Sequence, residues 1–234
     1  MAKANPQAYE PDLADSYNNL ANLYNVTHRF QESEAMYKSA IAIRERLAKA
    51  NPQAYEEDLA NSYNNLANLY FATQRFQESE AMYKLALAIR ERLAKANPQI
   101  YEPDLAVSYN NLGNLYKKTQ RFQESEAMYK SAIAIRERLA KANPQAYEPD
   151  LADSYNNMAI TYFSAQRIKE CEELFTSTLA IRERLAEDDP QEYGPALAQA
   201  YSNLAILYNE TQRFAESEEM ANAAAAIREC LGLE

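Results

Sequence analysis

Glycine is almost missing from this chain: Gly113, Gly194 and Gly232 are the three in 234 residues. So few left-handed turn residues, set against abundant Ala, Leu, Glu, Lys and Arg, disfavour hairpin-rich sheet and point to an all-α protein. Cysteine is nearly missing too. Cys171 and Cys230 stand 59 positions apart, with no metal-ligand spacing and no disulfide framework, so two inert thiols in a reducing compartment are expected and no metal. The one histidine, His28, lies in a turn where later copies of the same segment carry glutamine, which makes it a poor general base. There is no phosphate-cradling glycine loop and no nucleophile elbow, so neither catalysis nor a cofactor is expected. Basic residues are outnumbered 24 to 34, and a net charge of -10 with pI near 4.8 argues against a nucleic-acid partner. No apolar run approaches the roughly 18 residues of a membrane span, and the N-terminal MAKANPQ has no signal-peptide core, so no membrane partner and a cytoplasmic location are expected. Met1-Ala2-Lys3-Ala4, however, occupies the place of Leu47-Ala48-Lys49-Ala50, as though the chain began inside a longer array from which a targeting segment had been removed.

What the chain does contain is repetition. NPQAY at residues 5, 51 and 143, NPQIY at 97 and DPQEY at 189 set a period of 46 and divide one domain, 1–234, into repeats at 5–50, 51–96, 97–142, 143–188 and 189–234, with 1–4 as the tail of a preceding repeat. In the first repeat Leu13, Tyr17, Leu20 and Tyr24 fall on one helical face, which predicts a helix A from about Pro11 to Val26. After a turn at Thr27-His28-Arg29, a helix B carries two apolar stripes, Phe30/Ser33/Tyr37/Ile41 and Met36/Ala40/Ile43/Leu47. A helix with two apolar faces needs neighbours on both sides, and stacked hairpins provide them, so a right-handed α-solenoid is expected. Pro6, Pro52, Pro98, Pro144 and Pro190 read as lying between repeats. Pro11, Pro103, Pro149 and Pro195 read as helix starts, with Glu57 substituting in repeat two, so that no proline would lie inside a helix. Glu34/Lys38, Glu80/Lys84 and Glu126/Lys130 are i,i+4 pairs on a solvated face.

The order Tyr17, Leu20, Ala21, Tyr24, then Phe30, Tyr37 and Ala40, resembles the tetratricopeptide repeat, and Gly113 restores that family's small glycine in repeat three. NNLANLY followed by RFQESEAMYKSAIAIRERL and NP is similar in particular to the long repeats of kinesin light chain and related bacterial arrays. Two departures stand out. The period exceeds the family's usual length of about 34, which is attributed to a longer helix B and a longer NPQAYEP connection, and Ser33 stands where alanine is common. The resemblance implies a non-catalytic scaffold that holds a protein segment in a concave groove, with inner-face asparagines on its main chain.

The asparagines form rows across the repeats. Asn19, Asn65, Asn111, Asn157 and Asn203 run through all five, and Asn22, Asn68 and Asn114 through three. A primary amide both donates and accepts, so such rows suit an extended peptide regardless of its side chains. The competing reading makes the NN pair structural, one amide holding a neighbouring helix. Repeats one to three are nearly identical yet differ at Asp15/Asn61/Val107, Asn25/Phe71/Lys117 and Val26/Ala72/Lys118, beside the amides. Constant amides with variable neighbours fit a groove that reads side chains locally, although helix ends beside loops also drift freely. Asp15, Phe71, Lys117, Lys118 and Phe163 complete the candidate peptide contacts, the phenylalanines as apolar pockets and the lysines for an acidic group.

Repeat five changes character: Ala221 replaces Tyr37, Ser202 replaces Asn18 and Ile206 replaces Asn22, while Met220, Ala224, Ile227 and Leu231 preserve an apolar stripe. That stripe is expected to receive a further repeat or another copy of the chain. The sequence therefore leaves two alternatives to the peptide scaffold, a fragment of a larger array, with Leu233-Glu234 as an expression remnant, or a homo-oligomer joined through uncapped repeats.

Overall fold

A computed structural model describes residues 6–232, so the calls on Met1–Ala4 and Leu233-Glu234 lie outside the described residues. Among the described residues there are ten α-helices and no strands: α1 Pro6–Val26, α2 Phe30–Ala50, α3 Pro52–Ala72, α4 Phe76–Ala96, α5 Pro98–Lys118, α6 Phe122–Ala142, α7 Pro144–Ser164, α8 Ile168–Asp188, α9 Pro190–Glu210 and α10 Phe214–Leu231. Each repeat is one hairpin of an A and a B helix. The chain divides into two compact units, residues 1–115 and 116–234, a division that falls inside α5 rather than between repeats. In unit 1, α1 packs on α2, α2 on α3 and α3 on α4; in unit 2 the same serial packing runs from α6 to α10.

The helix starts differ from the sequence expectation. The A helices begin at the first proline of each repeat, five residues early, so Pro149 and Pro195 lie inside α7 and α9, and Pro11 and Pro103 inside α1 and α5. Both proline sets compete for one role, and in α7 and α9 the residue before the first proline caps the helix, although Asn51 makes no such bond at α3. Asn143 Oδ1 accepts from the Ala146 N–H at 3.3 Å, and Asp189 Oδ1 accepts from Gln191 and Glu192 at 3.1 and 3.0 Å. The inner proline removes only the donor to the carbonyl four residues back, Gln145 or Gln191, both exposed, so water can take its place. The connection between repeats is then a single residue, Asn51 between α2 and α3. Two 21-residue helices, the turn 27–29 and that junction account for the long period, so the extra length lies in both helices rather than in helix B and a loop.

Every hairpin turn closes in the same way. His28, Gln74, Gln120, Gln166 and Gln212 take φ of 59–61°, the left-handed region. In the first turn the Arg29 N–H donates to Tyr24 O at 2.8 Å and the His28 N–H to Asn25 O at 3.0 Å. These two bonds satisfy carbonyls that the helix end leaves open. The following arginine lacks a side-chain cap but stacks its guanidinium on the last tyrosine of helix A, 4.1 Å for Arg29 on Tyr24 and 4.2 Å for Arg75 on Tyr70.

The two apolar faces of helix B find two neighbours. In unit 1, Ile43 and Leu47 of α2 meet Ala14 and Leu13 of their own hairpin, while Tyr37, Ile41 and Ala48 join Leu59, Tyr63 and Leu66 of α3 in a second cluster. Leu69, 1% exposed, contributes about 1.5–3 kcal/mol by burial. The small residues of the repeat let the helices approach: Ala21, Ala40, Ala60 and Ala67 are fully buried. Ser33 departs from alanine for a visible reason, since its buried hydroxyl donates to Ala21 O at 2.8 Å, as Ser79 does to Ala67 O at 2.9 Å.

Candidate functional site

The NN pair lies on the A helix beside its apolar stripe, and its two amides face adjacent hairpins. Asn65 Nδ2 donates to Asn18 Oδ1 at 3.3 Å, Asn111 to Asn64 at 2.8 Å, and Asn203 to Asn156 at 2.7 Å. The first asparagine of one pair thus accepts from the second asparagine of the next, and the pairs join hairpin to hairpin. This accounts for their recurrence in the middle of a helix, where asparagine is a mediocre former. Asn157 is engaged differently, its Oδ1 accepting from Lys117 Nζ at 3.2 Å, and Asn110 Oδ1 is buried without a partner. Asn19, in the first hairpin, is exposed.

The row one turn further on behaves otherwise. Asn22 and Asn68 are exposed, and each Oδ1 accepts from the phenol of a buried tyrosine beneath it, Tyr37 for the first and Tyr83, at 2.5 Å, for the second. Burial pushes both phenols above their usual range, which keeps them protonated as donors. A fixed donor at Oδ1 fixes the amide, leaving the Nδ2 hydrogens toward solvent. Asn114 is half-buried, and the same position in repeats four and five is Ile160 and Ile206.

The variable positions separate into two kinds. Position 15 serves a buried arginine. Asp15 pairs with Arg44, Asp153 with Arg182 at 2.8 Å, and Asn61 Oδ1 accepts from Arg90 at 2.5 Å. Arg44, Arg90, Arg136 and Arg182 are all buried, and each also donates to a main-chain carbonyl at the start of the next A helix, Arg44 to Asp58 O at 3.1 Å and Arg182 to Ala196 O at 2.9 Å. Variation at 15 therefore alters how a buried charge is compensated. The sequence reading missed these arginines. Their signal was available, because Tyr37, Ile41, Arg44 and Ala48 fall at i, i+4, i+7 and i+11 on one stripe.

Position 25 lies in the last turn of helix A, half-buried in repeats one to four. Phe71 is half-buried and meets Phe76 edge to face at 5.9 Å. Phe163, also half-buried, lines a hollow of about 150 Å³ with Ile160, Phe175, Asn203, Ile206 and Leu207. Lys117 is half-buried with Nζ 6.0 Å from the Tyr129 ring centroid; burial lowers its pKa, and its partners among the described residues are neutral. Lys118 is exposed.

The terminal stripe is not what the sequence reading expected. Met220 packs into the core of unit 2, Ala224 is 1% exposed, and Leu231 Cδ1 would lie 2.6 Å from a Cβ added at Gly194 of α9. These residues, with half-buried Ile227, continue the Met36/Ala40/Ile43/Leu47 stripe, which holds helix B to its own helix A. They are the packing of the fifth hairpin rather than a receiving surface. The face that meets a following hairpin elsewhere, Tyr37/Ile41/Arg44, is Ala221/Ala225/Arg228 in α10.

The tetratricopeptide repeat pattern matches residues 12–92, 58–138 and 150–229, most of the chain, and the chain belongs to that family. Its fold is similar to that of BtubC (BKLC) from P. vanneervenii, at 26% identity and a TM-score of 0.78 over 99% of this chain and 85% of the other. The nearly identical TPR-like repeats of a kinesin light chain candidate from Podosopora anserina align at 21% identity and a TM-score of 0.72, covering 92% of this chain and 94% of that one. Pseudomonas aeruginosa pilF aligns at 16% identity and 0.62, covering 93% and 77%. No curated protein sequence matches the chain. Repeats of this family generally mediate protein–protein interaction or scaffolding and are generally non-catalytic. No helix among the described residues is long and apolar enough to cross a membrane.

Proposed function

We propose that the chain is an interaction scaffold whose A helices hold an extended peptide segment of a partner protein. The observation that carries this reading is the pair Asn22 and Asn68: exposed amides whose acceptor oxygens are occupied by buried tyrosines and whose donors are left outward. Main-chain carbonyls of an extended segment accept such donors whatever the side chains, at about 1 kcal/mol net per bond. Unit 2 supplies side-chain selectivity. The Phe163 hollow takes a large apolar group beside the Asn203 amide, and Lys117, half-buried among neutral partners, offers charge to an acidic group that would offset the cost of partly burying it. No catalytic step belongs to this reading, and the two unbonded thiols suit the cytoplasm.

The test is selection of a displayed random-peptide library on the immobilised chain, with affinities of the winners measured by fluorescence anisotropy. Asn22→Asp with Asn68→Asp keeps an acceptor for each tyrosine and removes the outward donors. Peptides held in unit 1 should lose tenfold or more in affinity with the thermal midpoint unchanged, and Lys117→Gln or Phe163→Ala should reduce binding of acidic or apolar winners in unit 2. Winners indifferent to all four substitutions, or no winners, overturn the proposal.

A further inference from the structure

Inside each unit, consecutive hairpins are joined by a recurring set of polar ties, and the first and fifth hairpins each present one half of that set on an exposed face. On the B-helix side, Glu34 accepts from Arg75 at 2.5 Å and from Tyr70 at 2.9 Å; Glu126 does so from Arg167 and Tyr162 at the same distances, and Glu172 from Arg213 at 2.8 Å. Glu45 accepts from Tyr63 at 2.6 Å and Glu183 from Tyr201 at 2.5 Å. Arg90 donates to Ser108 Oγ at 2.8 Å and Asp104 O at 3.2 Å. By the 46-residue period, the B-helix half of this set recurs on α10 as Glu218, Glu229 and Arg228, and the A-helix half on the first hairpin as Arg29, Tyr24, Tyr17, Ser16 and Asp12 O.

Both halves are open to solvent. Glu218 and Glu229 are exposed, and Arg228 turns back to Ser202 Oγ of its own hairpin at 2.8 Å. Arg29 retains half its exposure, stacked on Tyr24 of its own hairpin and paired with Glu32, three residues on. Beside it Leu23 is 55% exposed, whereas its counterparts Leu69 and Leu207 are each 1% exposed. An acidic pair with one arginine thus matches an arginine with two phenols and the Ser16 hydroxyl, which now donates to Asp12 O at 2.8 Å in its own helix, as the halves match at the internal junctions just described.

We infer that a second copy of this chain docks its first hairpin on the fifth hairpin of another, head to tail, in the register of the internal junctions. Ala221 and Ala225 stand where Tyr37 and Ile41 are buried, so the contact has less apolar area than an internal junction and is reversible. Because the contact is heterologous, it propagates or closes into a ring rather than stopping at two.

Sedimentation velocity from micromolar to several hundred micromolar at low salt tests this. The weight-average mass should rise with concentration and fall back at high salt. Glu218→Arg or Arg29→Glu alone should weaken the association constant about fivefold to tenfold, with helicity unchanged by circular dichroism, and the double reversal in one chain should restore it. A mass independent of concentration overturns the inference. So does an association that ignores the single reversals or that the double variant fails to recover, because it would run through another surface.

Discussion

Arg90 offers the sharpest test of how the hairpins are held. The residue is 2% exposed, and its guanidinium donates to Asp104 O, Ser108 Oγ and Asn61 Oδ1 and, through Nε and Nη2, to Glu57 Oε1 at 3.3 and 3.2 Å. Glu57 occupies the inner-proline position of repeat two, and its other oxygen, Oε2, is buried without a partner. Removing the arginine leaves a carboxylate, a carbonyl and a buried hydroxyl uncompensated, a loss of about 3–5 kcal/mol for one partner of a buried pair. The assay is urea unfolding of Arg90→Ala followed by circular dichroism, with hydrogen exchange to locate the damage between α4 and α5. The deficit should also depend on pH. Burial already raises the Glu57 pKa against the opposing pull of Arg90, and without the arginine it rises further. A raised folded pKa means a contribution present below the unfolded value, about 4.3, and lost as pH rises through the folded one. The gap between variant and wild type should therefore narrow as pH falls from 7 toward 4.5. A loss below about 1 kcal/mol, or a gap that does not move with pH, would refute the reasoning.

Two further outcomes follow from the same geometry. Gln120 holds φ of 59° without the freedom of glycine, so Gln120→Gly should raise stability by about 0.5–1 kcal/mol, read as a shifted thermal midpoint; a fall would show that the side chain contributes more than the strain costs. Glu34 is held down at about 2 by its hydrogen bond to Arg75, with further help from Lys38 and Tyr70. A depressed folded pKa stabilises above the unfolded value and is lost as pH falls toward the folded one, so the advantage of wild type over Glu34→Gln in urea should be full at neutral pH and vanish between about 4.5 and 2.

The hairpin was legible because apolar periodicity survives any detail of loop chemistry: Leu13, Tyr17 and Ile41 have no other stable arrangement. The helix starts were not, because Pro144 and Pro149, like Pro190 and Pro195, are both acceptable in a first turn, and the side-chain caps of Asn143 and Asp189 that favour the earlier proline leave no periodic signal. The amide rows were half legible. Spacing revealed Asn19 and Asn22 as rows, but nothing in a sequence tells that the first row faces a neighbouring amide and the second a tyrosine hydroxyl, since both lie one turn apart on the same helix. The buried arginines were hidden by habit of reading: a charge in AIRERL looks solvated until its stripe is counted with Tyr37 and Ile41.

The one-residue junction between repeats carries a consequence for how such a chain can change. With Asn51 alone separating two long helices, an inserted or deleted residue in a helix turns everything beyond it by about 100° and throws each arginine, glutamate and amide off its mark. Length can then drift only in whole repeats. Copying or losing an intact 46-residue block leaves every remaining contact in register, and the near-identity of the first three blocks is the mark such copying would leave.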